Sequence, residues 1–521
     1  MPHDRHDPLR LLLPPTSEAE ALRLRIGPPE RHRRIRYTEL RRLVLRAARA
    51  FETSGLEPGA RVGLLLPQGE RVVAWFLGAI HRGLVPCILA SPTAKMDPEK
   101  YDRNLAAVLE SLALAALVSD DRHVGGDTRR LDGKLPVEEA SPAPRPRGEG
   151  PLFLQFTGGT TGTQKHVAVT PRMLRAQLES YTAAIDLRPD DAVISWLPLY
   201  HDMGLVAALL LPLLHGLPVT LLDPMQWVLD PGSLLVAASE DRASLCWLPN
   251  FAFAFLATKA RVPADLDLRD LRAVVSCSEP VRPASIDAFL RRFTPHGLAP
   301  SAIHASYAMA EATFAVSQTT AADPLRRLLV SSATLARGLL RADPKGDRWL
   351  ASSGPLVAGV ELRVLDAASE GEVGEIAIRG PAVMGEGWHH TGDLGAVVDG
   401  HVYVTGRKRD LIIVGGVNVF AEDVEHASQV PGVHPGRAVA LGLDDEAAGT
   451  ERLVVVAEAE QPLDAEQRAA IEWAIRAAVL AACGVAPHRV HVVPPRFIVK
   501  STAGKIARGD TRRRLLERGL A

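Results

Sequence analysis

Between residues 37 and 119 the chain alternates helical and strand-like apolar patterns with a regularity that few folds can accommodate. Leu40, Leu43, Val44, Ala47, Ala48 and Phe51 recur at helical spacing after Tyr37-Thr38-Glu39, with Thr38 the expected N-cap and Gly55 the expected stop. A strand over 61–66, a helix over 70–82, a strand over 85–90, a helix over 100–111 and a strand over 115–119 are predicted next. Short apolar strands alternating with helices are the pattern of a doubly wound parallel sheet. The alternation resumes at 192–196 and 273–276, which implies a second α/β subdomain. From 354 to 404 the pattern changes to short β-rich runs, VELRVLD, GEIAIRG and HVYVTG, expected to form a small β-barrel-like subdomain. Beyond the charged run GRKRD at 406–410, strands at 411–414, 453–457 and 490–493 with a helix over 465–482 predict a compact α+β module.

A chain of 521 residues exceeds one core, so two or more domains are expected. Lys and Arg total 60 against 61 Asp and Glu, so no global field draws the protein to nucleic acid. Cys87, Cys246, Cys277 and Cys483 are scattered without CxxC spacing, which argues against a disulfide framework or zinc site and fits a reducing cytoplasm. No signal peptide is read in MPHDRHDPLRLLLPP. Residues 203–222 have the length of a membrane span, but Pro212, His215, Gly216 and Pro218 divide them into a buried helix, a turn and a strand over 219–222.

Chemistry gathers at loops after strands. An apolar run over 152–156 leads into Thr157, Gly158, Gly159, Thr160, Thr161, Gly162, Thr163, Gln164 and Lys165. Glycines allow close backbone approach to an anion, and hydroxyls and an ammonium add donors, so the stretch suits a polyphosphate. A surface loop has the same composition. It is not the Walker loop, because two residues separate Gly162 from Lys165. SWLPLYHDMG places His201 and Asp202 after a strand, where sites of parallel sheets lie. SCSEPVR offers Cys277, Ser278 and Glu279, and HASYAMAEAT offers Ser306, Tyr307, Ala308, Met309 and Glu311. HTGDLG, TGRKRD and STAGK add Asp393, Arg407 and Lys505.

With LQFTGGTTG, WLPLYHDMGL, SEPVRP, YAMAEATF, HTGDLG, GRKRDLIIVGGVN and STAGKI in this order, the chain resembles the adenylate-forming superfamily, and within it the fatty acyl-AMP ligases. The resemblance runs from about Tyr37 to Arg508. It implies an N-terminal ATP- and acyl-binding domain over 1–406, a hinge over 407–410 that includes Arg409, and a small mobile C-terminal domain over 411–521 carrying Lys505. It also implies ATP and Mg2+ as cofactors, with Thr157–Lys165 on the β- and γ-phosphates and Tyr307 stacked on adenine. Backbone around Cys277 and Ser278 would assist the adenine contact, Asp393 and Arg407 would take the ribose, and Glu311 with a loop threonine such as Thr160 would hold the metal. Lys505 would bridge carboxylate and α-phosphate, and His201 would orient the acid or gate its entry. The implied reaction activates a fatty or related acid and passes it to the phosphopantetheine thiol of an acyl carrier protein.

Free CoA as acceptor and a non-catalytic adenylate-binding protein are the alternatives; four chemically committed residues (Lys505, Glu311, Asp393, Arg407) count against the latter. Gly158, Gln164, His166 and Ala421-Glu422 depart from the family pattern, and Gly158 and His166 lie where weaker ATP affinity would follow. The interval MGEGWHH before the TGD block is short, and an insertion that disfavours CoA is sought within 323–350. The basic run TRRRLLER is a candidate contact for an acidic carrier.

Overall fold

A computed structural model describes residues 14–92, 98–120, 128–141, 143, 150–156, 166–415, 417–445, 450–500 and 506–520. The loop 157–165 and Lys505 lie outside these described residues.

Two large sheets carry the first 320 residues. The first is six-stranded, in the order Arg129–Asp132, Ala116–Ser119, Arg61–Leu65, Val85–Ile88, Phe153–Phe156, His166–Val169. All pairs are parallel except the last, where Phe156 lies opposite His166. The second is eight-stranded. Its parallel interior runs Ile303–Ala308, Ala273–Cys277, Leu245–Leu248, Val193–Ser195, Val219–Leu222, Glu20–Arg25. An antiparallel strand closes each side, Ala315–Gln318 at one edge and Arg33–Arg36 at the other. Interior strands such as Ala273–Cys277 are buried along their whole length, as helices on both faces require.

The helix Tyr37–Thr53 buries Leu40, Val44, Ala47, Ala48 and Phe51, and Phe51 meets Trp75 edge to face at 4.9 Å. Thr38 is not its N-cap. The helix begins two residues earlier, after Arg36, because carbonyls of the preceding segment take the first N–H groups: Tyr37 donates to Ala19 O and Thr38 to Ser17 O, each at 3.0 Å. Gly55 follows the last turn with φ 68°, the left-handed conformation that ends helices. Residues 203–222 divide as the prolines and Gly216 dictate, into a π-helical run Met203–Leu210, a short α-helix Leu211–Leu214 and the strand Val219–Leu222. No helix of the described residues is long and apolar enough to cross a membrane, and all four cysteines are free.

Next comes a four-stranded antiparallel sheet, Glu361–Val364, Gly374–Arg379, His389–Val398 and His401–Arg407, with register shifts that bend it. The last unit has its own core, in which Ile412, Val419, Val424, Leu453, Val455 and Ile475 pack together. Its helix Ala465–Cys483 opens with a reciprocal capping box between Asp464 and Gln467 and closes on Gly484 at φ 71°. Residues Lys408–Asp410 form a single 3-10 turn between this unit and the four-stranded sheet.

Candidate active site

The carboxyl ends of the central strands open into one cleft of about 3940 Å³, several times the roughly 300–1,000 Å³ of an ordinary ligand pocket. Ser278, Glu279, Ser306, Tyr307, Ala308 and Met309 all line it. So do His201, Glu311, Asp393, Arg407 and Arg409. Cys277 does not: its side chain is fully buried beneath the rim, with Sγ 3.6 Å from Ser278 Oγ. Phe156 and His166, which flank 157–165, and Lys500 and Ile506, which flank 501–505, also line the cleft.

One constellation is built from three distant segments. Tyr307, at a register shift near the end of its strand, donates its hydroxyl to Asp393 Oδ2 at 2.8 Å. Asp393 and Arg407 face each other across two antiparallel strands, which sets Arg407 Nε 3.1 Å from Asp393 Oδ1. Thr391 Oγ1 accepts the Asp393 N–H and donates to Ile376 O, fixing the backbone beneath the carboxylate. Tyr307 and Asp393 are only 7% and 5% exposed. Burial, with Asp393 adding to it, pushes the Tyr307 phenol far above its ordinary value. Burial works against the Arg407 charge, but Asp393, Glu422 and Asp410 outweigh it and raise its pKa. The result is a rigid pair of acceptor and donor groups of the kind a vicinal diol needs.

Glu311 sits in the turn Ala310–Ala312. Thr313, directly after it, has φ 66°, a strained conformation for a β-branched residue. Two contacts hold that strain. Thr313 Oγ1 donates to Ala382 O at 2.8 Å, and Gln155 Nε2 donates to both Ala310 O and Thr313 O at 3.0 Å. Gln155 is 2% exposed and stands two residues before Thr157, so the strand that leads into the phosphate-loop candidate also grips the Glu311 turn. Sequence reasoning missed it; the signal was an amide inside the apolar run FLQF. Burial raises the Glu311 pKa, its own backbone N–H offsets part of this, and Asp202 raises it further. A half-buried carboxylate crowded by a second acid favours a cation beside it. No group of three His, Cys, Asp or Glu among the described residues could hold a metal alone.

His201 and Asp202 precede the π-helical run, a rare geometry frequent at functional sites. Asp202 Oδ1 caps Met203 N at 2.8 Å and lies 2.5 Å from His201 Nδ1, in an alignment that is not a hydrogen bond. Gly204 must be glycine here, because a Cβ would run into the Pro198 carbonyl. Beyond His201 an aromatic wall begins. Trp196 stacks on Trp227 at 3.7 Å, and Phe251 and Phe255 meet Trp227 edge-on at 6.2 and 5.5 Å. Trp196, Phe251 and Phe255 line the cleft, giving it an apolar arm beside the polar one.

The sequence profile of the AMP-binding enzymes matches residues 15–387. The chain belongs to the AMP-binding enzyme family. A Mycobacterium tuberculosis protein named only as a ligase is 33% identical, over 92% of this chain and 95% of its own. The long-chain-fatty-acid–AMP ligase FadD26 of Mycobacterium marinum is 30% identical, over 87% of this chain and 86% of its own. A solved structure from studies of fatty acyl-adenylate ligases from E. coli and L. pneumophila superposes with a TM-score of 0.88 at 26% identity, covering 98% of both chains. The fold of this AMP-binding enzyme is therefore the adenylate-forming one, a large α/β portion followed by a small terminal unit.

Proposed function

We propose that this AMP-binding enzyme activates a fatty or related carboxylic acid with ATP, forming acyl-AMP and pyrophosphate, and then passes the acyl group to the phosphopantetheine thiol of an acyl carrier protein, with AMP as the leaving group. The constellation Tyr307–Asp393–Arg407 carries the reading. It places an aromatic ring, a fixed carboxylate and a guanidinium in a cleft that has an apolar aromatic arm. Relatives named as fatty-acid AMP ligases support the same chemistry.

In this reading the substrate carboxylate attacks the α-phosphate. A carboxylate–phosphorus bond forms, the bond to pyrophosphate breaks, and the electron pair leaves with pyrophosphate. The nucleophile is already ionised, so no general base is needed. Asp393 and Arg407 hold the ribose, Tyr307 stacks on adenine and the backbone about Ser278 borders it. Residues Thr157, Gly158, Gly159, Thr160, Thr161, Gly162 and Lys165 receive the departing phosphates. Lys505 neutralises charge that develops between carboxylate and α-phosphate, the kind of preorganised stabilisation that dominates phosphoryl chemistry. Glu311 and Thr160 would hold Mg2+, which when bound supplies further neutralisation at the phosphate oxygens. His201, which lines the cleft, orients the entering acid. Residues 1–406 form the nucleotide- and acyl-binding part, 407–410 the pivot, and 411–521 the part that carries Lys505.

The test is acid-dependent exchange of labelled pyrophosphate into ATP across carboxylic acids of graded length, followed by thioester formation with a holo carrier protein or free CoA. Exchange with apolar acids and acylation of the carrier are expected. No exchange with any acid would overturn the reading, and preference for CoA would overturn the acceptor.

A further inference from the structure

One ion-pair cluster lies outside the proposed chemistry and joins the two parts of the chain. Asp423, on the helix Ala421–Ala427 of the terminal unit, takes arginines from two separate elements of the larger part. Arg348 Nη1 lies 2.6 Å from Asp423 Oδ2 and its Nη2 donates to Oδ1 at 2.8 Å, while Arg282 Nη1 reaches Oδ1 at 3.0 Å. Arg282 Nη2 also donates to Glu422 O at 3.3 Å. All three side chains are at most 20% exposed, so screening by solvent is limited. The fork of Arg348 on both carboxylate oxygens, with Arg282 bridging Oδ1 and Glu422 O from a second element, defines an orientation, which a single flexible pair does not.

Arg282 is itself fixed. Its N–H donates to Asn250 Oδ1 at 2.9 Å, and Glu279 Oε2 accepts Phe251 N–H at 2.9 Å. The turn 278–282 is thus stapled to the start of the helix Asn250–Lys259, whose Phe251 and Phe255 form the aromatic arm. The same turn carries Ser278 at the cleft and reaches the terminal unit through its last residue. In the orientation so fixed, Lys500, Ile506, Ala507 and Arg508 line the cleft together with Tyr307 and Asp393.

We propose that Asp423 is a positioning residue: gripped by Arg282 and Arg348, it docks the terminal unit over the cleft in the arrangement in which acyl-AMP is made. The inference rests on the acyl-AMP reading above. It assigns no chemistry to Asp423. Its loss frees the terminal unit and lowers adenylation, leaving thiol attack on preformed acyl-AMP intact.

The experiment compares wild type, Asp423→Asn, Asp423→Glu, Arg282→Gln and Arg348→Gln in the full chain. Pyrophosphate exchange, acylation of holo carrier protein from supplied acyl-AMP, and amide hydrogen exchange over 408–420 are measured on each. Asp423→Asn is expected to slow pyrophosphate exchange by roughly 5- to 150-fold, the range of ordinary coupling between sites. Carrier acylation stays unchanged, amide exchange over 408–420 rises, and Asp423→Glu, which keeps a carboxylate for both guanidinium groups, retains more of both readouts than Asp423→Asn. Unchanged pyrophosphate exchange, equal loss in both half-reactions, or Asp423→Glu faring no better than Asp423→Asn overturns the proposal. If Asp423→Asn does not fold, the two glutamine variants read the same contact. Absence of pyrophosphate exchange in wild type sinks the functional reading, while amide exchange still decides whether Asp423 docks the unit.

Discussion

Replacing Gln155 tests whether one buried amide holds the turn that carries Glu311. Its Nε2 serves two carbonyls, Ala310 O and Thr313 O, each at 3.0 Å. Methionine has nearly the volume of glutamine, so Gln155→Met should lose little packing, less than about 1.5 kcal/mol. It takes the donor from the Thr313 carbonyl, at about 1–3 kcal/mol, while the Ala310 carbonyl keeps the Thr313 N–H at 2.9 Å. Glutamate is worse: an ionised acid in that position presents oxygens to two carbonyls and has no N–H. The expected order of stability is wild type, then Gln155→Met, then Gln155→Glu. In guanidinium unfolding followed by tryptophan fluorescence, the transition of the larger part moves to lower denaturant; midpoints are compared because a chain of several units need not unfold in two states. With Thr313 released from φ 66°, the Glu311 turn loosens, so the Mg2+ concentration for half-maximal pyrophosphate exchange should rise. Wild-type midpoint and Mg2+ requirement in Gln155→Met, or a Glu variant more stable than the Met one, would refute the reasoning.

Two further outcomes are expected. Lys505→Ala should abolish acyl-AMP formation and spare thiol attack on supplied acyl-AMP; equal loss in both steps would remove its role in the first. Burial pushes the Asp191 carboxyl up, but Arg272, Ser244 Oγ and the Arg188 N–H outweigh it and leave its pKa below the ordinary 3.8. A folded value below the unfolded one contributes stability above pH 3.8 that is lost as pH falls through the lowered folded value. Asp191→Asn should therefore flatten the acid limb of stability and, by leaving Arg272 unpaired, cost up to about 3–5 kcal/mol near neutrality. Urea midpoints measured from pH 7 to pH 3 check both.

The doubly wound layout was legible because its strands are short apolar runs whose periodicity changes abruptly at each helix. The predicted strands over 61–66 and 85–90 form as Arg61–Leu65 and Val85–Ile88. Strands whose residues face solvent gave no such signal. Arg33–Arg36 and Arg129–Asp132 stand at sheet edges, read RRIR and RRLD, and were not anticipated. Thr38 was misread because an N-cap is one way to satisfy a helix start and backbone carbonyls 18 and 21 residues away, those of Ala19 and Ser17, are another. Of the cleft-lining candidates, Tyr307 stands near the end of a strand of the parallel sheet, where chemistry concentrates, whereas Asp393 lies inside the antiparallel strand His389–Val398 and is marked by its motif alone. Gln155, Arg282 and Asp423 act through contacts between segments more than 100 residues apart, which no local pattern encodes.

Arg407 is at once the partner of Asp393 and the residue from which the turn Lys408–Asp410 departs. Anyone exchanging terminal units between relatives must choose where to join the chains, and this dual position sets the choice. A junction after Asp410 imports a foreign unit while keeping the native Asp393–Arg407 pair on its own two strands. A junction between Val398 and His401 replaces one whole strand of that hairpin, so the recipient must accept a stranger's guanidinium opposite its own carboxylate. Chimaeras of the first kind leave the Asp393–Arg407 pair as it stands; those of the second kind alter the pair together with the imported unit.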